Sequence, residues 1–214
     1  MVYLPPAFTE TRPEVLIAHI ERYDFAMLVS HGAQGLVASH VPFLTDRRGD
    51  ELHLLGHLAR PNPQVEDLRA GSAQGNEVLA VFSGPHAYVS PRWYASGPAV
   101  PTWNYAAVHT YGIVRLIDDP EWLREFLCRL AERHEAGSEN PWRMEDQPAA
   151  YMTGMLKGIV GFEIRVTRLE GKFKLSQNRP PADRPRIIKA LDAASDTEAG
   201  GIARLMEQRV EEQS

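Results

Sequence analysis

Short β-rich runs occupy most of this chain, and turn-forming residues separate them. Such runs occur about eight times, each bounded by Gly, Asp, Asn or Pro, at residues 25–30, 36–44, 52–57, 78–83, 87–90, 102–117, 159–169 and 173–175. The segments HGAQG (31–35) and TDRRGD (45–50) and the pair Glu170-Gly171 predict hairpin connections. Strands joined mostly by hairpins form antiparallel sheets, so the sequence predicts a mainly β, antiparallel barrel with peripheral helices.

Helical periodicity appears at a few places between these runs. Residues 12–22 are amphipathic, and Thr11 with Glu14 has the spacing of a capping box. Asp119 followed by Pro120 is a typical helix start and predicts a helix to about residue 134. A shorter helix is expected around residues 151–156.

Prolines at 180, 181 and 185 mark a boundary near the end of the chain. Two helical patterns follow them. We therefore expect a barrel domain over residues 1–178 and a helical appendage over residues 179–214.

Composition limits the class of protein. With 214 residues, 43% of them hydrophobic, the chain can bury one sizeable core, and its net charge of −5 is unusual for a dedicated nucleic-acid binder. Cys128 is the single cysteine and stands among apolar residues, which favours a core thiol and a reducing compartment. The first residues do not resemble a leader, and no apolar run reaches the length of a membrane span, so we expect a cytoplasmic protein without a membrane segment.

Several common catalytic motifs are absent from the sequence. It contains no phosphate-binding G-x-x-x-x-G-K-[ST], no dinucleotide G-x-G-x-x-G, no H-E-x-x-H, no G-x-S-x-G and no C-x-x-C. This argues against most nucleoside triphosphatases, zinc proteases and serine hydrolases.

The segment GHLARPNP (56–63) leaves a strand and enters a helix, with Asn62 as the expected N-cap and Pro63 in the first turn. Backbone amides at a helix start, next to Arg60 and His57, suit a phosphate dianion. A capped helix with a solvated arginine is the alternative.

Three histidines are weaker candidates. His40 lies in LVASHVPFL (36–44), where the small residues Ala38 and Ser39 leave room for a flat ring, although a plain core strand with a hydrogen-bonded histidine fits equally. His53 and His57 share one face of a strand, but no third ligand is evident, so we expect no metal site.

Aromatic residues are dense between positions 86 and 105. Such a concentration is typical of a core or a dimer interface, and less often of a cofactor site. The residues are His86, Tyr88, Trp93, Tyr94, Trp103 and Tyr105.

Taken together, these segments resemble the PaiB family of FMN-binding transcriptional regulators. The similar motifs span nearly the whole chain, and they are YLPPAF (3–8), SHVPF (39–43), GHLARPNP, GPHAYVSPRWY (84–94), VPTWNY (100–105), GFEI (161–164) and EGKFKLSQN (170–178). The resemblance implies the split β-barrel fold of pyridoxamine phosphate oxidase and a homodimer that holds FMN at its two-fold interface.

The resemblance also implies roles for particular residues. Ser39 and His40 would lie beside the isoalloxazine ring, and His57, Arg60 and Asn62 would face the phosphate. A further set, Trp103, Asn104 and Tyr105, would approach from the other subunit or form the interface. For Lys174, Gln177 and Asn178, contact with flavin and a structural role both remain open.

Three functions follow from this reading. The family implies a negative transcriptional regulator that binds a DNA operator, although the best basic patch, Arg179, Arg184, Arg186 and Lys189, is small. The first alternative is a flavin-dependent oxidoreductase that uses a reduced nicotinamide or similar small-molecule donor or acceptor. The second alternative is a flavin or haem carrier without catalytic turnover.

Overall fold

A computed structural model describes residues 2–33, 35–95 and 97–211 of the chain. The chain forms two compact units. The first unit contains the described residues of 1–23, Phe82–His109 and 170–214, and the second contains Asp24–Val81 and Thr110–Leu169.

The described residues contain eight strands, the predicted number, but the strands are not all the predicted ones: β1 and β4 are additional, and two pairs of predicted runs each form one strand. They are β1 (Thr9–Glu10), β2 (Phe25–Gly32), β3 (Gly35–Pro42), β4 (Leu44–Arg48), β5 (Glu51–Ala59), β6 (Glu77–Val89), β7 (Thr102–Ile117) and β8 (Ile159–Lys174). Their order in the sheet is β3-β2-β6-β7-β8-β5-β4, and β1 pairs with β8. Each pairing with a defined register is antiparallel, as expected.

Helices connect and follow these strands. In chain order they are α1 (Pro13–Arg22), α2 (Gln64–Ala73), α3 (Pro120–Glu135), α4 (Ala149–Lys157), α5 (Arg184–Asp192) and α6 (Thr197–Glu211). Asp119 caps α3 as predicted, because its carboxylate accepts hydrogen bonds from the amides of Glu121 and Trp122. Within the described residues, no helix is both long and apolar enough to cross a bilayer.

The core of the second unit lies between the strand faces and two helices. Phe43 and Phe162, both almost fully buried, meet edge to face with their ring centroids 5.8 Å apart. On the other face of β4 and β5, Leu44 and Leu55 pack against Phe126 of α3. Helix α3 therefore covers the β4–β5 hairpin with its apolar side.

A buried carboxylate organises the first unit. Glu10 accepts hydrogen bonds from the side chain and amide of Arg12 and forms an ion pair with Arg209 of α6. Burial alone would raise the pKa of Glu10, but the bonds and charges of these arginines outweigh burial and lower the pKa to about 2. The predicted capping box at Thr11 is therefore wrong, because Glu10 binds the amides of Thr11 and Arg12 at the start of α1.

Two predicted strand boundaries also differ from the structure. The run 36–44 breaks at Phe43, which lies between the end of β3 at Pro42 and the start of β4 at Leu44, although its amide still donates to the carbonyl of Asp24 beside the β2–β3 ladder. The runs 78–83 and 87–90 form one strand, β6, which continues through Pro85. The register of β6 with β2 ends at Val81, so no bond to β2 is lost where the proline lacks its N–H.

The predicted hairpin at Glu170-Gly171 is wrong, because β8 runs through these residues without a turn. Both residues belong to the strand, and Gly171 pairs with Glu10 of β1. A Cβ atom at Gly171 would lie 2.2 Å from Leu16 Cδ2. The glycine therefore allows α1 to pack closely on the strand. From the local sequence alone, a glycine required for close packing looks the same as a glycine in a turn.

Close backbone contact also explains Gly112 in the middle of β7. A Cβ atom at this position would lie 2.3 Å from the carbonyl oxygen of Arg165 in β8. Gly154 of α4 is different, because the space around its Cα is open.

These two glycines give a matched pair of substitutions. We expect Gly112→Ala to lower the free energy of unfolding by about 1–3 kcal/mol, because the β8 backbone has to shift. Gly154→Ala should raise it by about 0.5–1 kcal/mol, because alanine is the better residue inside a helix. Urea unfolding measures both, and equal effects of the two substitutions would contradict the packing described for β7 and β8.

Candidate functional site

The start of α2, in the second unit, has the cap that the sequence predicts. Asn62 Oδ1 accepts a hydrogen bond from the amide of Gln64 at 2.9 Å, and the Asn62 carbonyl accepts from the amide of Val65 at 3.0 Å. The amide of Glu66 bonds to the carbonyl of Pro63. Because these donors are already bound, the first turn of α2 does not offer the free amides that a phosphate requires.

A small polar cluster fixes α2 against β2 and β3. Asn62 Nδ2 donates to Ser39 Oγ at 3.0 Å, which brings two predicted site residues together. The fully buried Gln64 donates to the carbonyl of Leu28 and to Ser30 Oγ. Gln64 Oε1 is buried without a hydrogen-bond partner among the described residues, so this cluster retains one free acceptor.

Arg60 is held in place by three hydrogen bonds. Its Nε donates to the carbonyl of Lys157 at 3.0 Å, Nη2 donates to the carbonyl of Ile159 at 2.7 Å, and Nη1 binds Asp118 Oδ1 at 2.7 Å. A guanidinium carries five N–H groups, so these bonds leave two of them, on a side chain that is 45% exposed. Arg60 is thus a rigid donor as well as a structural clamp.

A cavity of about 320 Å³ opens beside Arg60. Its charged lining residues are the cations Arg60, Arg124 and Lys157 and the carboxylates Asp118 and Glu121. Three cations against two carboxylates leave one positive charge. The cavity can therefore attract an anion. The side chain of Lys157, which is exposed at the end of α4, has no hydrogen bond or ion pair to another described residue.

His40 and Ser39 point to opposite faces of β3, because adjacent strand residues alternate. His40 is exposed and stacks on Phe25 of β2, with ring centroids 6.2 Å apart. The same open face carries Leu36, which is 77% exposed, and Phe25, which is 66% exposed. The structure therefore does not place His40 beside the Ser39–Asn62 contact.

His57 and His53 share a face of β5, as predicted. His57 packs edge to face on Phe126 at 5.7 Å, and burial lowers its pKa, so it is neutral at pH 7. His53 lies between the carboxylates of Glu51 and Glu163. In the described part of the chain, no three His, Cys, Asp or Glu side chains are arranged to hold a metal ion.

In the first unit, Trp103, Asn104 and Tyr105 also alternate along β7. Trp103 is 53% exposed and meets Tyr88 at 6.0 Å and His86 at 6.0 Å. Asn104 is fully buried and binds Ser176 Oγ at 3.0 Å. Trp103 and Tyr105 therefore line an open aromatic surface, whereas Asn104 belongs to the interior.

The EGKFKLSQN stretch makes mainly structural contacts. Lys174 Nζ donates to Thr102 Oγ1 and to the carbonyl of Trp103. Gln177 binds the carbonyl of Phe173 and the amide of Leu175, and so closes its own turn. These contacts give Lys174 and Gln177 a structural role. For Asn178, contact with flavin and a structural role both remain open.

Three of the four residues in the basic patch also make internal contacts. Arg184 donates to the carbonyl of Gln177 and Arg186 to that of Trp93, and Arg179 lies 4.4 Å from the Tyr94 ring centroid. These contacts hold α5 in the first unit. They reduce the number of side chains that can follow a DNA backbone.

Some residues at these sites were not identified from the sequence. Arg124 and Lys157 lie far from the GHLARPNP motif in the chain, and their patterns indicated only helices. Cys128, expected in the core, is only partly buried. Burial and the neighbouring Glu145 raise the pKa of its thiol, which opposes a nucleophilic role.

Comparison with known proteins identifies the family. Residues 2–168 match the family described as "Putative FMN-binding domain". The chain belongs to this family.

It is 34% identical over 212 residues to the protein "Protease synthase and sporulation protein PAI 2" of Bacillus subtilis, a match that covers 99% of this chain and 100% of that protein. It is also 36% identical over 206 residues to an uncharacterised protein of Emericella nidulans, covering 81% of this chain and 82% of that one. The predicted resemblance to PaiB is thus confirmed.

Solved structures confirm the predicted split-barrel fold class of this FMN-binding domain family member. The flavocytochrome Anf3 from Azotobacter vinelandii superposes with a TM-score of 0.58 at 13% identity, over 80% of this chain and 72% of that one. The FAD and heme binding protein from Mycobacterium smegmatis gives 0.55 at 16% identity, over 78% and 73%. At such low identity these similarities concern the fold alone.

Two places in this family member can be compared as sites for the FMN phosphate. The start of α2 does not fit a phosphate, because its amides and Asn62 are bound internally. The cavity beside Arg60 fits better, because it combines two remaining guanidinium N–H groups with Lys157 and Arg124. A dianion in this cavity would be held by charge-assisted hydrogen bonds.

The contacts of Arg60 predict a large effect on stability. Arg60→Ala should lower the free energy of unfolding by about 1.5–3 kcal/mol, because two carbonyls and Asp118 lose a charged donor. Arg47→Ala is the control, since the side chain of this exposed arginine of β4 has no hydrogen bond or ion pair in the described structure, and it should change stability by less than about 0.5 kcal/mol. Urea unfolding of both variants tests this, and equal stabilities would show that Arg60 is not a clamp.

Proposed function

We propose that this protein binds a flavin, specifically FMN, and that it does so as a homodimer of the PaiB type. The observation that carries the proposal is the family match over residues 2–168, which includes the Ser39–Asn62 cluster and the cavity beside Arg60. FMN would supply reversible electron transfer when bound. The side chains of this chain would bind and orient it.

For the phosphate we favour the cavity of the second unit. Its excess of one positive charge and the fixed orientation of Arg60 suit a compact anion. Arg60 needs no reorientation to donate its remaining N–H groups, so little side-chain entropy is lost on binding. Lys157 adds a charge with no competing partner among the described residues.

For the isoalloxazine ring we favour the aromatic surface of Trp103 and Tyr105 in the first unit. Half of the Trp103 surface is exposed, and an exposed indole offers a flat apolar face. The family resemblance implies that these residues approach from the other subunit or form the interface itself, and in the first case a second copy of the chain would complete each site.

The phosphate proposal predicts a selective loss of affinity. FMN should bind at least about tenfold more tightly than riboflavin, which lacks the phosphate. Lys157→Gln should weaken FMN by about tenfold and leave riboflavin unchanged, because it removes one charge-assisted contact of roughly 1.5 kcal/mol. Calorimetry measures both ligands, and Lys189→Gln in α5 is the control.

The outcomes separate the parts of this proposal. Equal losses for FMN and riboflavin in Lys157→Gln would exclude the cavity as the phosphate site. A protein that binds neither ligand would exclude flavin binding. If flavin binds, rapid anaerobic bleaching by NADH or NADPH would identify an oxidoreductase, and no bleaching would favour a carrier or a sensor.

The homodimer is supported by an apolar sheet face in the second unit. Paired residues of β2, β3 and β6 point to the same side. His31 and His40 lie among the apolar ones, which are partly or largely exposed: Phe25, Met27, Val29, Leu36, Ala38, Leu79 and Val81. A contiguous apolar face of this kind is typical of an interface. A second copy would bury it with matching apolar residues.

The dimer predicts that a charge on this face prevents association. Leu36→Glu should convert the dimer to monomers, because burying an unpaired carboxylate costs several kcal/mol. Tyr151→Glu is the control, since Tyr151 is 58% exposed on α4 and lies outside the apolar face. Sedimentation velocity distinguishes the species, and a Leu36→Glu dimer as stable as the parent would place the interface elsewhere.

A further inference from the structure

We propose that a groove between α1 and α6 in the first unit binds a small aromatic monocarboxylate. This site uses none of the residues assigned above to flavin. It would give the protein a second ligand, independent of FMN.

Two helix faces form the walls of the groove. From α1 come Glu14, Val15, Ala18, His19 and Arg22, and from α6 come Gly201, Arg204, Leu205 and Gln208. These positions follow the spacing of one face on each helix. The groove has a volume of about 430 Å³, within the range of small-molecule sites.

Aromatic and apolar groups line the base of the groove. The His19 ring lies 4.7 Å from the Tyr23 ring and 5.3 Å from the Phe173 ring, measured between centroids. Val15, Ala18 and Leu205 add aliphatic surface. A flat ring can therefore pack against aromatic side chains and leave water.

His19 contributes a neutral ring. Burial lowers its pKa to about 4, although its hydrogen bond to the carbonyl of Phe82 acts in the opposite direction. At neutral pH, His19 Nε2–H donates to that carbonyl at 3.2 Å, which leaves Nδ1 as an acceptor. The ring thus adds aromatic surface to the groove without adding charge.

Charge determines the class of ligand. Within the described residues, the side chains of Arg22 and Arg204 make no hydrogen bond or ion pair, although the Arg22 guanidinium lies 5.8 Å from the centroid of the Tyr23 ring. The other charged group of the groove is Glu14. Two guanidiniums against one carboxylate leave a single positive charge, which matches a monoanion.

A carboxylate suits these arginines because a guanidinium binds it through two parallel hydrogen bonds. Several other arginines of the first unit already have acceptors within the protein. Arg12 and Arg209 bind Glu10, and Arg184 and Arg186 bind backbone carbonyls. The guanidiniums of Arg22 and Arg204 line the groove and keep their N–H groups available for a carboxylate.

The test compares 1-naphthylacetate with 1-naphthylacetamide, which has the same rings without the charge. Calorimetry gives the affinities, and the NMR signals of the His19 ring report the location. We expect the acid to bind at least about tenfold more tightly than the amide, and to shift the His19 signals. Arg22→Gln and Arg204→Gln should each weaken the acid by about tenfold.

Two further variants serve as controls. Arg47→Gln, an exposed arginine of the second unit, should leave the affinity unchanged. Ala18→Phe should abolish binding, because it fills the groove from an exposed position on α1.

Several results would overturn the proposal. They are equal affinity for acid and amide, no binding of the acid, or full affinity in the Arg22→Gln/Arg204→Gln double variant. The titration is repeated with saturating FMN. Competition between FMN and the acid would show that the two ligands share one site, which also contradicts the proposal.

Discussion

The three hydrogen bonds of Arg60 fix the geometry on which the candidate phosphate site depends. They tie the segment after β5 to the end of α4, the start of β8 and Asp118. The same bonds hold the guanidinium at the wall of the cavity that Arg124 and Lys157 also line. If the cavity binds the phosphate as proposed, structural and binding roles would coincide in this one side chain, and a substitution there would change both. A guanidinium can combine them because its five donors have fixed directions.

Local patterns predicted the elements better than their connections. The cap at Asn62, the start of α3 at Pro120 and the β4–β5 hairpin are determined by residues close together in sequence. The continuous β8 depends instead on β1, which lies about 160 residues away and pairs with Gly171. A glycine after an acidic residue has the same local appearance in a turn and in a close helix contact. Sequence alone therefore favoured the more common turn.

The candidate site shows a related limit of motif reading. Ser39-His40 and Trp103-Asn104-Tyr105 are each continuous in sequence, yet alternation along a strand separates their side chains onto two faces. Ser39 binds Asn62, while His40 stacks on Phe25 at the open face. Asn104 is buried, while Trp103 is exposed. Residues that a family motif groups together can thus serve structure and binding separately. Arg124 and Lys157 join Arg60 only through the tertiary fold.

The two cationic sites differ in how their arginines are held, and this difference separates their ligands. Arg60 is fixed by the backbone and by Asp118 before any ligand arrives, so it can bind a small anion at a defined point with little loss of entropy. Arg22 and Arg204 are unpaired and exposed, so each must give up side-chain freedom when it binds. A carboxylate alone would offset little of that cost. An aromatic ring that packs on His19, Tyr23 and Phe173 adds the apolar burial that makes binding favourable, and this requirement excludes inorganic anions from the groove.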